Sequence, residues 1–271
     1  MRRIVLTAIV ALAASSISAF AQPGSRVPRG ADGKPDFTGV WQGGSSMRGN
    51  WDEANAGLGV GGSGKNPAAP AVLSSNDRPA GREGAPYQDW AAKKVLESFN
   101  RRGIDDPTAL CLPAGVPRSV MLGLFPQKIV QTPRELVILY EYMNTFRVIT
   151  LNGKHPDDLL PSYMGDSVGR WEGDTLVVDV IGFNDKTWLA GTGTFHSEDL
   201  HVTERYTRVD KDQINYEVTM VDPKVFTKPW TLTSTIMLRE GTRLEENICA
   251  ENNLDPGYYE KLLKDGVKIT R

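Results

Sequence analysis

Cysteine and histidine are both scarce in this chain, with two and three among 271 residues. Neither cysteine lies in a Cys-x-x-Cys-His run, which excludes covalent haem attachment. None lies near the N-terminus, where a lipid anchor would need one. Charge of one sign is missing as well. With 31 basic against 33 acidic residues, there is no basic footprint for nucleic acid and no polybasic patch for a membrane surface. Beyond the first twenty residues, no apolar run approaches the ~20 residues that span a bilayer.

What is present begins at Met1. Arg2 and Arg3 form a short positive region, residues 4–20 are uncharged, and Ala19-Phe20-Ala21 supplies an A-x-A cleavage site. This is the pattern of a secretory signal peptide, expected to be removed after Ala21. The Sec route is the default, and the destination is the periplasm or the medium. Without Arg2 and Arg3 the balance is 29 basic against 33 acidic residues. In an oxidising compartment an even cysteine count favours a bridge, so Cys111 and Cys249 are expected to pair. The bridge would tie the Pro-rich stretch 110–118 to the last strand and could make it a lid over one end of the sheet.

The mature chain, residues 22–271, reads as one domain in two parts. Residues 22–126 hold an extended arm (24–36), a Gly-rich stretch (43–84), one helix (87–102) and an irregular segment (107–126). A structureless stretch as long as 43–84 is either functional or disordered. In the helix, Trp90, Val95, Leu96 and Phe99 fall near one face. Residues 127–271 are short β runs between turn signals, and a final surface helix covers 256–264. Asn152-Gly153 is a strong hairpin signal. Further hairpins are expected across 172–174, 209–213 and 240–241. About eight strands at this spacing, with no helices between them, argue for an antiparallel meander. An up-and-down barrel would remove its edges; a β-sandwich is the alternative.

Two strands show which faces matter. Ile214, Tyr216 and Val218 alternate with Asn215, Glu217 and Thr219. On the preceding strand Leu200, Val202 and Tyr206 share a face that Glu204 interrupts, while His201, Thr203, Arg205 and Thr207 lie on the other. A register setting Arg208 against Ile214 places Arg205 opposite Glu217. The resulting surface is either a solvated face with a cross-strand ion pair or a polar strip lining a cavity.

Two resemblances bear on these residues. Asp36-Phe37-Thr38-Gly39-Val40-Trp41 resembles the first lipocalin motif, in which a Gly-x-Trp opens the first strand and the Trp packs under the barrel against a basic side chain. Much of the mature chain also resembles a large group of exported bacterial proteins. The matching segments include residues 31–41, Trp171-Glu172-Gly173-Asp174-Thr175-Leu176-Val177-Val178-Asp179, Gly182-Phe183-Asn184-Asp185-Lys186-Thr187-Trp188 and residues 196–205, with Asp222-Pro223 and Lys228-Pro229-Trp230. This second resemblance implies export and β architecture. It implies no reaction.

Residues 184–205 gather the chemistry. His196 and His201 are natural acid–base groups, and Arg205 could stabilise an oxyanion. Together with Glu217 they make the candidate catalytic set, with Asp185, Glu198, Asp199 and Glu204 as carboxylates near them in sequence. Trp188, Phe195 and Asp185 are the candidate ligand contacts. No metal is expected: the His196–His201 spacing lacks the helical i, i+4 logic of zinc motifs, and Pro156 interrupts the loose group His155, Asp157 and Asp158. Two functions follow. One is a His acid–base enzyme without an organic cofactor, acting on a small molecule. The other is a lipocalin-like carrier with a dry, mostly apolar cavity. A solid core would count against both and leave a structural or interaction role.

Overall fold

A computed structural model describes residues 27–43, 85–100, 106–121, 125–189 and 193–266. The expected signal peptide with its cleavage site, and all of the Gly-rich stretch after Gly43, lie outside the described residues. Nine strands form a closed barrel in sequence order: β1 (Gly39–Gln42), β2 (Gln127–Gln131), β3 (Glu135–Tyr140), β4 (Thr145–Leu151), β5 (Asp166–Glu172), β6 (Thr175–Ile181), β7 (His201–Arg208), β8 (Gln213–Val221) and β9 (Trp230–Leu238). Among the described residues three α-helices lie outside it: α1 (Asp89–Asn100), α2 (Arg118–Met121) and α3 (Asp255–Lys264). Among the described residues no helix is long and apolar enough to cross a membrane.

The ninth strand changes the topology. A ring of nine strands cannot alternate in direction all the way round, so at least one neighbouring pair must be parallel. Here β4 and β5 run parallel, in the register Ile149↔Ser167 to Leu151↔Gly169. The expected hairpin at Asn152-Gly153 therefore does not form, and the all-antiparallel meander is corrected at this seam. Parallel neighbours need a crossover connection. Residues 152–165 supply it, returning along the outside of β5 and β6, where Leu159 packs on Gly182. The Ser162 amide donates to the Gly182 carbonyl.

The last expected hairpin is also absent. β9 pairs with β8 on one side and with β1 on the other, through Trp41↔Leu238 and Gln42↔Met237. With both edges of β9 taken, residues 243–248 have no ladder to join and form no strand. Cys249 opens a short 3-10 turn instead of ending a strand. The disulfide to Cys111 is present, with a Cα–Cα distance of 5.6 Å, inside the usual range for a bridge.

Side chains alternate across the wall. Leu176, Val178 and Val180 of β6, Val202 and Tyr206 of β7, and Ile214, Tyr216, Val218 and Met220 of β8 fill the interior. At one end Trp41 is fully buried. Its indole nitrogen donates to the Phe37 carbonyl at 2.8 Å, and the Arg208 guanidinium lies 5.0 Å from its ring centre. This is the contact with a basic side chain that the Gly-x-Trp resemblance implies. Phe37 stacks on Trp171 and completes the seal.

The Pro-rich stretch closes the other end. Val116, Val120 and Met121 join the core, and Gly115 and Gly43 lie against Thr187 and Val120 with no room for a Cβ. A buried ion pair holds this stretch in addition to the disulfide. Arg118 pairs bidentately with Asp106 at 2.8 and 2.7 Å, both residues buried.

Candidate functional site

Beyond β6 the chain runs through Phe183 and Asn184 to Thr187, then doubles back. The Leu189 amide donates to the Thr194 carbonyl, and Trp188 pairs with Phe195. The returning limb delivers His196 and Ser197 at the barrel end. A second turn, 222–226, is fixed beside it by Asp222. That buried carboxylate accepts from the Ser197 amide (2.7 Å), the Ser197 hydroxyl (2.9 Å) and the Lys224 amide (3.1 Å). Helix α1 docks across both. The Gln88 amide donates to the Val225 carbonyl, its side chain donates to the Pro223 carbonyl, and the Tyr87 hydroxyl donates to the Phe195 carbonyl.

Between these three pieces lies a cleft of about 680 Å³. Trp90 and Lys94, one helical turn apart, line one side; Asp185, His196 and Glu198 line another, and Lys224 closes the third. Trp90 is 50% exposed, although sequence periodicity groups it with the buried Val95. Phe195 forms the floor. Lys94 sits 4.1 Å from its ring centre, and the Tyr87 ring stacks on it at 5.8 Å.

His196 is 2% exposed, and both ring nitrogens are engaged. Nδ1 lies 2.9 Å from the Ser197 carbonyl, so it carries the hydrogen, and Nε2 lies 2.6 Å from the Thr187 hydroxyl and accepts from it. Burial pushes the imidazole pKa down, against smaller opposing effects of the Ser197 carbonyl, Asp222 and Asp185. Both ring nitrogens are thus hydrogen-bonded within the protein.

The other candidates do not converge with it. His201, Arg205 and Glu217 lie on the outer wall of the barrel, so the polar strip faces solvent and lines no interior cavity. The expected register is found, Arg208↔Ile214 and Arg205↔Glu217, but Arg205 donates to Glu172 at 3.0 Å. A groove of about 540 Å³ crosses this wall over β7, β8 and β9, with Arg205 and Glu217 in its lining. His201 Nε2 donates to Asp179 Oδ1 at 2.6 Å. Trp188 is buried in the core and does not line the cleft, whereas Asp185 and Phe195 do. Asp199 takes an ion pair from Lys224 at 2.9 Å. His155 pairs with Asp166 and Asp179 instead of its sequence neighbours Asp157 and Asp158. Among the described residues no group of three His, Cys, Asp or Glu side chains is arranged to hold a metal ion.

Glu204 is the largest surprise. It is fully buried at the centre of the barrel, where Arg147 pairs with both its oxygens. The hydroxyls of Tyr206 and Tyr216 donate to it at 2.9 and 2.8 Å. Burial works against the Arg147 cation, but the Glu204 carboxylate outweighs it and holds the guanidinium pKa above its ordinary value. Burial and then Glu204 push both phenols up, so they remain donors. Tyr140 is raised to about 12 by burial, against the opposing effect of Arg147. The sequence signal was a charge on an otherwise apolar strand face, visible at Glu204 and equally at Arg147.

Gly165-Asp166-Ser167-Val168-Gly169 has the G-x-S-x-G spacing of a hydrolase elbow, though it is not among the sequence candidates. Ser167 is 3% exposed within β5, and its hydroxyl accepts from Arg147 Nε at 2.8 Å. It sits in a strand rather than at a strand-to-helix turn, and belongs to the interior network. No protein-family model and no curated protein matches this chain.

Proposed function

We propose that the chain is an exported, lipocalin-like binding protein for a small, partly apolar molecule, and that the ligand sits in the rim cleft rather than inside the barrel. One observation carries the reading. The fold brings Asp185, Phe195 and His196 from one limb against Trp90 and Lys94 of α1, around a space of about 680 Å³. Ligand clefts run from about 300 to 1,000 Å³ and combine an aromatic surface with a few polar groups. The interior is a poor alternative, because packed side chains and the Arg147–Glu204 pair occupy it. Catalysis by His196 is disfavoured by its two filled nitrogens. Export is supported by the A-x-A leader and by a disulfide that belongs in an oxidising compartment. The Trp41–Arg208 contact supports the lipocalin-like build.

Native mass spectrometry of protein purified from its host, set against the mass of the bare mature chain, tests the reading. A co-purifying small molecule is expected. Trp90→Ala should weaken its binding by about tenfold or more, since an aromatic contact and its buried area are lost, while leaving the melting temperature unchanged. Retained affinity in this variant would place the ligand elsewhere.

A further inference from the structure

We propose that His155, held between Asp166 and Asp179, is a proton-dependent latch that keeps the β4–β5 crossover on the barrel wall. The crossover is imposed by the nine-strand closure, and it runs outside β5 and β6. His155 is its polar anchor, with a side chain 18% exposed. Nδ1 lies 2.5 Å from Asp166 Oδ2, and Nε2 lies 3.1 Å from Asp179 Oδ2. An ionised carboxylate only accepts hydrogen bonds, and a neutral imidazole has a single N–H. The neutral ring would therefore turn a lone pair toward one of the two carboxylates. The imidazolium supplies one donor to each, in charge-assisted bonds.

The charged groups around this ring come from three strands. Asp166 projects from β5 and Asp179 from β6; His201 of β7 holds the other Asp179 oxygen at 2.6 Å. On the crossover itself Lys154, Asp157 and Asp158 are exposed. Asp179 is kept below the usual carboxylate range. Its partial burial acts in the opposite direction, but the hydrogen bonds from His201 and His155 prevail. Downstream, the latched segment is bonded to the limb of the cleft. Ser162 donates to the Gly182 carbonyl at 2.9 Å and accepts from the Asn184 amide at 2.8 Å. The latch stands independently of what the cleft binds.

Amide hydrogen exchange by NMR, corrected for intrinsic rates, reads the latch directly at Ser162 and Asn184. From about pH 5.5 to about pH 8.5 these two amides should lose about tenfold in protection. Amides in the middle of β7 and β8 should hold theirs and report that the barrel is intact. His155→Gln should be poorly protected and insensitive to pH at both positions. Asp166→Asn is the decisive variant. Its side-chain amide can donate to an unprotonated Nδ1, so neutral His155 is satisfied on both sides and protection should persist across the range. Flat protection in the unmodified protein, or an unchanged pH response in Asp166→Asn, would overturn the proposal.

Discussion

The molecule carries two ionic clusters of similar make-up in opposite surroundings. Inside the barrel Arg147 and Glu204 are both almost completely excluded from solvent, and two phenols complete the carboxylate's coordination. On the wall, Asp166, His155, Asp179 and His201 form a chain in which every member keeps some contact with water. The contact distances are comparable, so geometry does not distinguish them; dielectric does. In the interior, losing one partner strands a charge that water cannot reach. On the wall, water substitutes for a lost partner and the pair contributes little. The inner cluster should therefore govern whether the barrel exists, and the outer one how firmly a surface segment is held.

The sharpest way to break this contrast is Glu204→Ala. It should cost about 3–5 kcal/mol in urea unfolding, because Arg147 is left buried and unpaired. Replacing the pair together, Arg147→Met with Glu204→Leu, should recover most of that loss. If Glu204→Ala cost no more than a surface substitution, water would have to reach the interior, and the two clusters would be alike.

The disulfide comes next. Cys111 and Cys249 are 138 residues apart and enclose the strands from β2 to β9. Reduction should lower stability by about 2–5 kcal/mol, the range for long closed loops. Urea melts with and without reductant measure it, and alkylation of the unreduced, denatured protein should label no cysteine.

Acid probes the outer cluster. Because the native Asp179 pKa lies below its unfolded value, its contribution is complete above the ordinary carboxylate range of about 4 and fades as pH falls through the native value. Melting temperatures of the unmodified protein and Asp179→Asn should differ at neutral pH and converge in acid. As the group is about one-third exposed, the gap should correspond to no more than about 1 kcal/mol. The smallest effect belongs to Arg205→Ala, which removes an exposed contact to Glu172 and should change stability by less than about 0.5 kcal/mol.

Much of the barrel is legible in the sequence. The β7–β8 register followed from alternation, because a slip by one residue would turn Val202 and Tyr206 out into water. The turn at Gly173-Asp174 followed from residue type, and Gly173 does adopt a positive φ of 62°. The parallel seam did not follow, because strand count and closure are properties of the whole ring. Asn152 does take the left-handed conformation a hairpin would use, with φ 54°, but the partner strand arrives from elsewhere. The absence of a strand at 243–248 has the same origin: nothing local reveals that β1 already occupies the edge of β9. The candidate site was half legible. Sequence proximity collected Asp185, Phe195 and His196, which line the same cleft. It also drew in His201 and Arg205, which the next strand carries round to the outer wall. Trp90 and Lys94 were out of reach, because their neighbours in space lie about a hundred positions away in the sequence.

β1 is four residues long, yet it bonds to β2 on one side and β9 on the other. It is synthesised before every other strand and can take its final place only after the last of them exists. Until then Trp41, the most deeply buried indole among the described residues, has no Arg208 to lie beneath it and no barrel to lie within. Closing such a long loop is an entropic cost that its few ladder bonds recover late. The order of assembly thus runs opposite to the order of synthesis at this strand. A nascent chain carries an exposed Gly-Val-Trp segment for as long as the rest of the barrel takes to be made.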